Sequence, residues 1–282
     1  MSARDEHQDF VRSRFGLDAA TFEPIGEGWA YDTYLVDGEW VFQFPRLPGE
    51  DETLRKQLAL LPDLAAEVST RVPVPTYAST EPPCMGYRKI DGAPFPEVGD
   101  EGIWPERLGR FLYDVHMVPP EFVGMRARPV DAVRDGLRAE LARWTERIVP
   151  LLDPDERRRA LDLFEAYAED DEIWHLATCL THGDLGPEHI LVTPSGDLAG
   201  VLDWGDASVG DPVWDFAWLL RAAPLVGERA LAAYGGEPDQ HFRARARFAF
   251  ALMPWHEVSY GLDTGQPAFV ESGLSGVRSR LP

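Results

Sequence analysis

The chain has 282 residues, 44% hydrophobic and 27% charged, proportions of a folded globular protein that exclude wholesale disorder. Asp plus Glu number 48 against 27 Lys plus Arg, a formal charge of −21. That balance excludes the basic footprint with which a nucleic-acid binder neutralises phosphates, and it permits a cationic ligand to be drawn toward a cleft.

The N-terminal run Met1-Ser2-Ala3-Arg4-Asp5-Glu6-His7 is polar and has no apolar signal core. No stretch reaches the ~18–20 uninterrupted apolar residues that span a bilayer. A soluble, cytoplasmic protein with no membrane partner is therefore expected. Cys84 and Cys179 lack metal-ligand spacing and are expected to stay reduced.

In chain order, Phe10, Val11 and Phe15 predict a helix over 6–16. Two β-rich runs, 30–36 and 39–44, flank Asp37-Gly38, a hairpin signal because a type I′ turn needs positive φ at both central residues. Leu54, Leu58, Leu61 and Leu64 predict a helix over 51–69, ended by Pro73-Val74-Pro75. Strands follow near 77–79 and 85–88. Beyond about residue 100 the pattern turns helical, over 104–118, 132–151, 154–167, 214–223, 228–234, 241–252 and 268–281, with a β-rich interruption at 180–204. The expected class is α+β, with a small β-rich lobe over 1–90 and a larger helical lobe over 91–282.

The chemistry concentrates in Thr181-His182-Gly183-Asp184-Leu185-Gly186-Pro187-Glu188-His189 and, after a turn at Ser195-Gly196-Asp197, in Leu202-Asp203-Trp204-Gly205-Asp206. Phosphoryl transfer needs a carboxylate to take the hydroxyl proton, ligands to hold Mg²⁺ against the phosphates, and rigid positioning. Protein kinases supply these as His-Arg-Asp-x-x-x-x-Asn and Asp-Phe-Gly. His182-Gly183-Asp184 with His189 matches the first spacing and Asp203-Trp204-Gly205 the second. Two such elements in order, joined by a hairpin and preceded by a β-rich lobe, are far more specific than either alone.

On these motifs, and on Asp211-Pro212-x-x-Asp215-Phe216, Gly86-Tyr87-Arg88-Lys89-Ile90-Asp91-Gly92 and Tyr260-Gly261-Leu262, the sequence resembles the aminoglycoside and macrolide phosphotransferases over roughly residues 20–280. These are antibiotic kinases with a two-lobed, protein-kinase-like fold, and the motifs are most similar to the aminoglycoside 2″ branch, which like the macrolide branch has histidine at the place of His189. The resemblance implies that Asp184 is the catalytic base and that His189 and Asp203 bind Mg²⁺. It implies ATP or GTP as co-substrate, with Val41 and Leu202 sandwiching the purine and the backbone of Arg88 and Ile90 hydrogen-bonding it. Asp215 would brace the catalytic loop.

Two places depart from the family pattern. Gly26-Glu27-Gly28-Trp29-Ala30 has two glycines and no third at kinase spacing, so Gly26 and Gly28 read equally as a phosphate-covering loop and as an ordinary turn. Gln43 stands where a lysine normally reaches the phosphates, and Gln57 falls near the place of that lysine's glutamate partner. A Gln43–Gln57 hydrogen bond would keep the geometry and lose the charge, leaving Arg46 or Arg55 to compensate. Neither lysine substitutes, since Lys56 lies on the next helix and Lys89 in the linker.

The acceptor is expected beneath Asp184, with Trp214, Trp218, Trp255, His256, Glu257 and Asp263 as candidate contacts, the aromatic residues reading equally as core packing. An acidic cleft suits a cationic antibiotic, an aminoglycoside first. Arg221 departs from the acidic character of the 2″ branch, which keeps a macrolide or a peptide antibiotic open. The alternatives are a non-catalytic protein on the same fold, motivated by Gln43, and a metabolic kinase for a choline-like, sugar or amino-alcohol substrate.

Overall fold

The computed structural model describes residues 2–25, 30–47, 49–95 and 99–282. Helix α1 (Ala3–Phe15) opens at a capping box in which Ser2 and Asp5 exchange side-chain-to-backbone hydrogen bonds. It lies on one face of a sheet formed by β1 (Phe22–Pro24), β2 (Tyr31–Val36), β3 (Trp40–Pro45), β4 (Pro75–Thr80) and β5 (Pro83–Arg88), antiparallel in the order β1-β2-β3-β5-β4. The β2–β3 turn has Asp37 at φ 50° and Gly38 at φ 67°, the left-handed pair that a type I′ hairpin demands.

Strand alternation sorts the side chains of β3. Phe42 and Phe44 face α1 with Val11, Phe22 and Tyr34. Val41 joins Tyr31, Leu54, Met85 and Tyr87 in a separate cluster. Helix α2 (Glu50–Glu67) supplies Leu54 to that cluster and Leu60, Leu61 and Leu64 to the larger core beyond it. One helix thus joins the sheet to the helical part.

That part comprises α3 (Trp104–Met117), α4 (Val130–Arg147), α5 (Pro154–Ala168), α6 (Trp214–Ala222), α7 (Pro224–Ala233), α8 (Phe242–Thr264) and α9 (Pro267–Arg280). One core gathers Trp104, Phe111, Trp204 and Phe216, and a second gathers Trp144, Phe164 and Trp255. Two small sheets, β6 (Ala93–Pro94), β8 (Ile190–Val192) and β9 (Leu198–Val201) in one and β7 (Cys179–Thr181) with β10 (Ser208–Gly210) in the other, add Leu180, Ile190, Val192 and Val201 to the first core. The molecule is α+β, a small antiparallel sheet lobe followed by a mostly helical remainder. Among the described residues no helix is long and apolar enough to cross a membrane.

One expected boundary is corrected. The helix expected to end at 252 continues through Pro254 to Thr264. Proline removes the N–H that would bond the carbonyl four residues back. Here that carbonyl belongs to Phe250, and Arg280 of α9 donates to it at 2.9 Å, with the guanidinium 3.9 Å above the Phe250 ring. The freed acceptor is satisfied from a neighbouring helix, so α8 need not stop.

Candidate active site

The loop from β7 to β8 carries Asp184, and its shape follows from Gly183. Gly183 sits at φ 88°, and a Cβ there would stand 2.5 Å from the Asp206 carbonyl oxygen, so both conformation and space require glycine. The Gly183 N–H donates to Asp215 Oδ1 at 2.9 Å, and the His182 N–H donates to Asp215 Oδ2 at 2.9 Å. Asp215, fully buried on α6, therefore clamps the backbone just before Asp184. It is held in turn by His116 of α3, whose Nε2–H donates to Oδ2 at 3.0 Å and whose Nδ1 meets the Tyr234 hydroxyl at 2.9 Å. Burial pushes the Asp215 carboxyl up, but His116, His182 and the Gly183 N–H outweigh it and hold the group below the ordinary carboxylate range.

His182 ties this loop to the second motif. Its Nε2–H donates to the Leu202 carbonyl at 2.8 Å, and its Nδ1 accepts from the Asp184 N–H at 3.3 Å. The Leu202 N–H donates to the His189 carbonyl at 2.9 Å. Asp203 follows in left-handed backbone, φ 61°. The loop and the turn after β9 are thus one hydrogen-bonded unit, which brings Asp184, His189 and Asp203 together.

His189 Nδ1–H donates to the Asp184 carbonyl at 2.8 Å, which leaves the Nε2 lone pair free to act as a ligand. Nε2 stands 3.7 Å from Asp203 Oδ2. Burial pulls the imidazole pKa down, and Asp203, with the carbonyl and carboxylate of Asp184, more than reverses this, so the net shift is upward. A group so disposed gains from a cation placed between it and Asp203. Among the described residues no preassembled set of three or more such ligands occurs. Mg²⁺ is commonly held by one or two side chains, with water and phosphate oxygens completing its shell, so a two-ligand site fits it.

Asp184 is solvent-accessible but recessed. The surrounding protein, with Asp206 and Asp203, pushes its carboxyl pKa up against the opposing pull of His189 and His182. A carboxylate with raised basicity is the better proton acceptor for a hydroxyl.

The nucleotide-side residues are placed as follows. Val41 is buried under the sheet, and Leu202 is half-buried in the turn just described. Arg88 ends β5, with its side chain exposed and paired to Glu39 at 2.9 Å. The Lys89 N–H donates to the Glu39 carbonyl, so by ladder alternation the Arg88 N–H and C=O point away from β3. Ile90 is buried against Gly200. Gly26 and Gly28 lie outside the described residues.

Gln43 lies on β3, two residues from Val41 and half-buried, but the expected Gln43–Gln57 bond is corrected. The buried Gln57 amide donates instead to the Tyr31 hydroxyl at 3.4 Å. Arg46 pairs with Asp32 at 3.2 Å, and Arg55 pairs with Asp51 one turn away on α2.

Among the expected acceptor contacts, Trp255 is corrected. Trp255 is completely buried, stacked on Trp144 with centroids 5.7 Å apart, and is core. Trp218 packs edge-on to Phe95 against the first core. Asp263 pairs with Arg147 at 2.7 Å, and Glu257 acts on Arg280, which engages α8 and α9. His256 and Trp214 meet edge-on, with ring centroids 6.1 Å apart. The surrounding protein pulls the His256 pKa down, against the nearby carboxylates of Glu140, Asp206 and Asp184.

Sequence reasoning missed His116, Tyr234, Glu140 and the side chain of His182. Only His182 carried a local signal, its place two residues before Asp184.

Comparison with known proteins follows the same lines. Residues 21–250 match the model of the phosphotransferase enzyme family. A viomycin phosphotransferase from Streptomyces vinaceus is 26% identical over 265 residues, 83% of this chain and 82% of that protein. The GDP complex of an aminoglycoside 2'-phosphotransferase-IIIa superposes with a TM-score of 0.85, at 23% identity over 99% of this chain and 98% of that one. The apoenzyme of a macrolide 2'-phosphotransferase from Brachybacterium faecium gives 0.76, at 27% identity over 97% of each chain. With well over half its length matched by the family model, and with the fold of those structures, the chain belongs to the phosphotransferase enzyme family.

Proposed function

We propose that the protein transfers the γ-phosphoryl group of ATP or GTP to a hydroxyl of a cationic antibiotic and thereby confers resistance, with residues 1–90 binding the nucleotide and 91–282 the acceptor. The observation that carries this reading is the Asp184 carboxylate on its clamped loop, beside the His189–Asp203 pair whose ligand atoms are 3.7 Å apart.

In this reading a carboxylate oxygen of Asp184 receives the acceptor's hydroxyl proton as the hydroxyl oxygen bonds the γ-phosphorus. The bond from phosphorus to the bridging oxygen breaks, and the nucleoside diphosphate leaves. His189 and Asp203 would hold Mg²⁺, which would supply neutralisation of phosphate charge. Val41 and Leu202 flank the purine, and the outward-facing Arg88 backbone, with that of Ile90, hydrogen-bonds its edge. Gln43 lies where a cationic side chain would meet the phosphates, and being neutral it leaves more of that charge to the metal.

The groups acting electrostatically around Asp184 and His256 support a cationic acceptor. Glu140 and Asp206 are carboxylates, and His256, with its pKa lowered, is neutral at pH 7 and does not repel a cation. The aromatic rings of Trp214 and His256 add cation–π surface. An aminoglycoside meets these requirements with its ammonium groups. The viomycin phosphotransferase relative makes a cationic peptide antibiotic the second acceptor to try.

The test is a coupled nucleotide-consumption assay with Mg²⁺ and either ATP or GTP against aminoglycosides, viomycin, macrolides and small amino alcohols. Acceptor-dependent consumption with a cationic antibiotic is expected. Consumption with amino alcohols alone selects a metabolic kinase. Nucleotide binding without transfer to any acceptor selects a non-catalytic protein, the reading that the neutral Gln43 favours.

A further inference from the structure

One charged side chain beside the site has no part in that chemistry. Lys56, one of two lysines in the chain, is half-buried on α2, and its Nζ donates to the Ala207 carbonyl at 2.9 Å across 151 residues of sequence. Its neighbours on the same helix face reach the same turn. A Cβ on Gly205 would stand 3.3 Å from Thr53 Cγ2 and 3.8 Å from Gln57 Nε2. Positions 53, 56 and 57 are three and four apart and share one face, so that face of α2 lies against the turn that begins at Asp203.

The turn needs holding. Asp203 is in left-handed backbone, a conformation that costs a non-glycine residue on the order of 1 kcal/mol and persists only where its surroundings enforce it. From the helical side it is held by His182 and His189, through the Leu202 carbonyl and N–H. From the sheet side the bond from Lys56 fixes its far end at Ala207. The ammonium has two further donors, and the charges acting on it are those of Asp206 and Glu50. Gln57, which stands where the resemblance places an acidic partner for a strand lysine, is neutral and directed to Tyr31.

We propose that Lys56 is a positioning residue, which grips the Ala207 carbonyl from α2 and so holds the 203–207 turn with the Asp203 carboxylate beside His189. It supplies the link between helix and metal-binding turn that an uncharged Gln43 and Gln57 do not make. This role rests on the phosphotransfer reading, but the grip itself can be measured without turnover.

The parent chain, Lys56→Met and Lys56→Arg are compared by hydrogen exchange over 203–208, with the α5 segment 154–168 as internal reference. Turnover with Mg²⁺ and ATP or GTP is split into kcat and KM. In Lys56→Met the 203–208 amides exchange at least ~10-fold faster while 154–168 is unchanged. There kcat falls ~10–100-fold, the size of a lost charge-assisted bond, with the acceptor KM unaltered. Lys56→Arg, which keeps the donor and its charge, restores most of both. Unchanged exchange over 203–208 in Lys56→Met, or an arginine variant no better than the methionine one, overturns the proposal. If the parent chain phosphorylates no acceptor, the phosphotransfer reading fails and the exchange comparison alone decides Lys56. Should Lys56→Met not fold, Lys56→Gln, shorter and uncharged, is read in the same way.

Discussion

Asp184 and Asp215 are both carboxylates within one loop's reach, yet their environments give them opposite tasks. Asp184 is accessible with a raised pKa, which suits proton transfer, whereas Asp215 is sealed and saturated with donors, which suits bracing. Asp184→Asn keeps the shape and removes the base, so turnover is expected to fall ~10²–10⁴-fold while calorimetric nucleotide affinity stays that of the parent. Asp215→Asn turns one acceptor oxygen into an NH₂ facing backbone or imidazole donors. It is expected to cost about 3–5 kcal/mol in urea denaturation at pH 7, the range for breaking a buried charged network. The acid dependence has a definite sign. With the folded pKa below the unfolded ~3.9, the stabilisation is complete above the unfolded value and is lost as pH falls through the folded one. The stability gap between parent and Asp215→Asn should therefore narrow once the pH drops below about 4.

At the scale of elements, what could be read from sequence depended on whether the determining contacts were local. The β2–β3 hairpin was legible because two adjacent residues, Asp37 and Gly38, carry the whole turn requirement. The proximity of Asp184 and His189 was legible because they lie five residues apart, the His189 ring bonding the Asp184 carbonyl. The course of α8 was not, because the partner that relieves Pro254 is Arg280, thirty residues away on another helix. Nor were His116, which reaches Asp215 across 99 positions, or the bond that Lys56, on the expected helix, makes to the Ala207 carbonyl across 151. Trp255 misled for the related reason that a tryptophan's spacing does not say which face of its helix is covered. Arg280→Met tests the α8 account directly. It leaves the Phe250 carbonyl without its donor and is expected to cost about 1–3 kcal/mol by urea denaturation. A variant as stable as the parent would mean that α8 tolerates its proline without help from α9.

The charge of the whole molecule acts on its two substrates with opposite signs. At −21 the protein repels a nucleoside triphosphate and would attract the cationic acceptor proposed above. Local positive groups counter such repulsion only at short range. Raising ionic strength shortens the Debye length from ~30 Å at 0.01 M to ~10 Å at 0.1 M, which screens the distant charges before the close ones. The kcat/KM for a cationic antibiotic should therefore fall ~3–10-fold between those salt concentrations. The kcat/KM for nucleotide should hold steady or rise, because the same screening relieves its repulsion. An uncharged acceptor would show neither trend. Steady-state measurements varying one substrate at a time, with ionic strength set by KCl and Mg²⁺ held fixed, separate the two slopes. Parallel slopes for both substrates would show that the acceptor is not recognised as a cation.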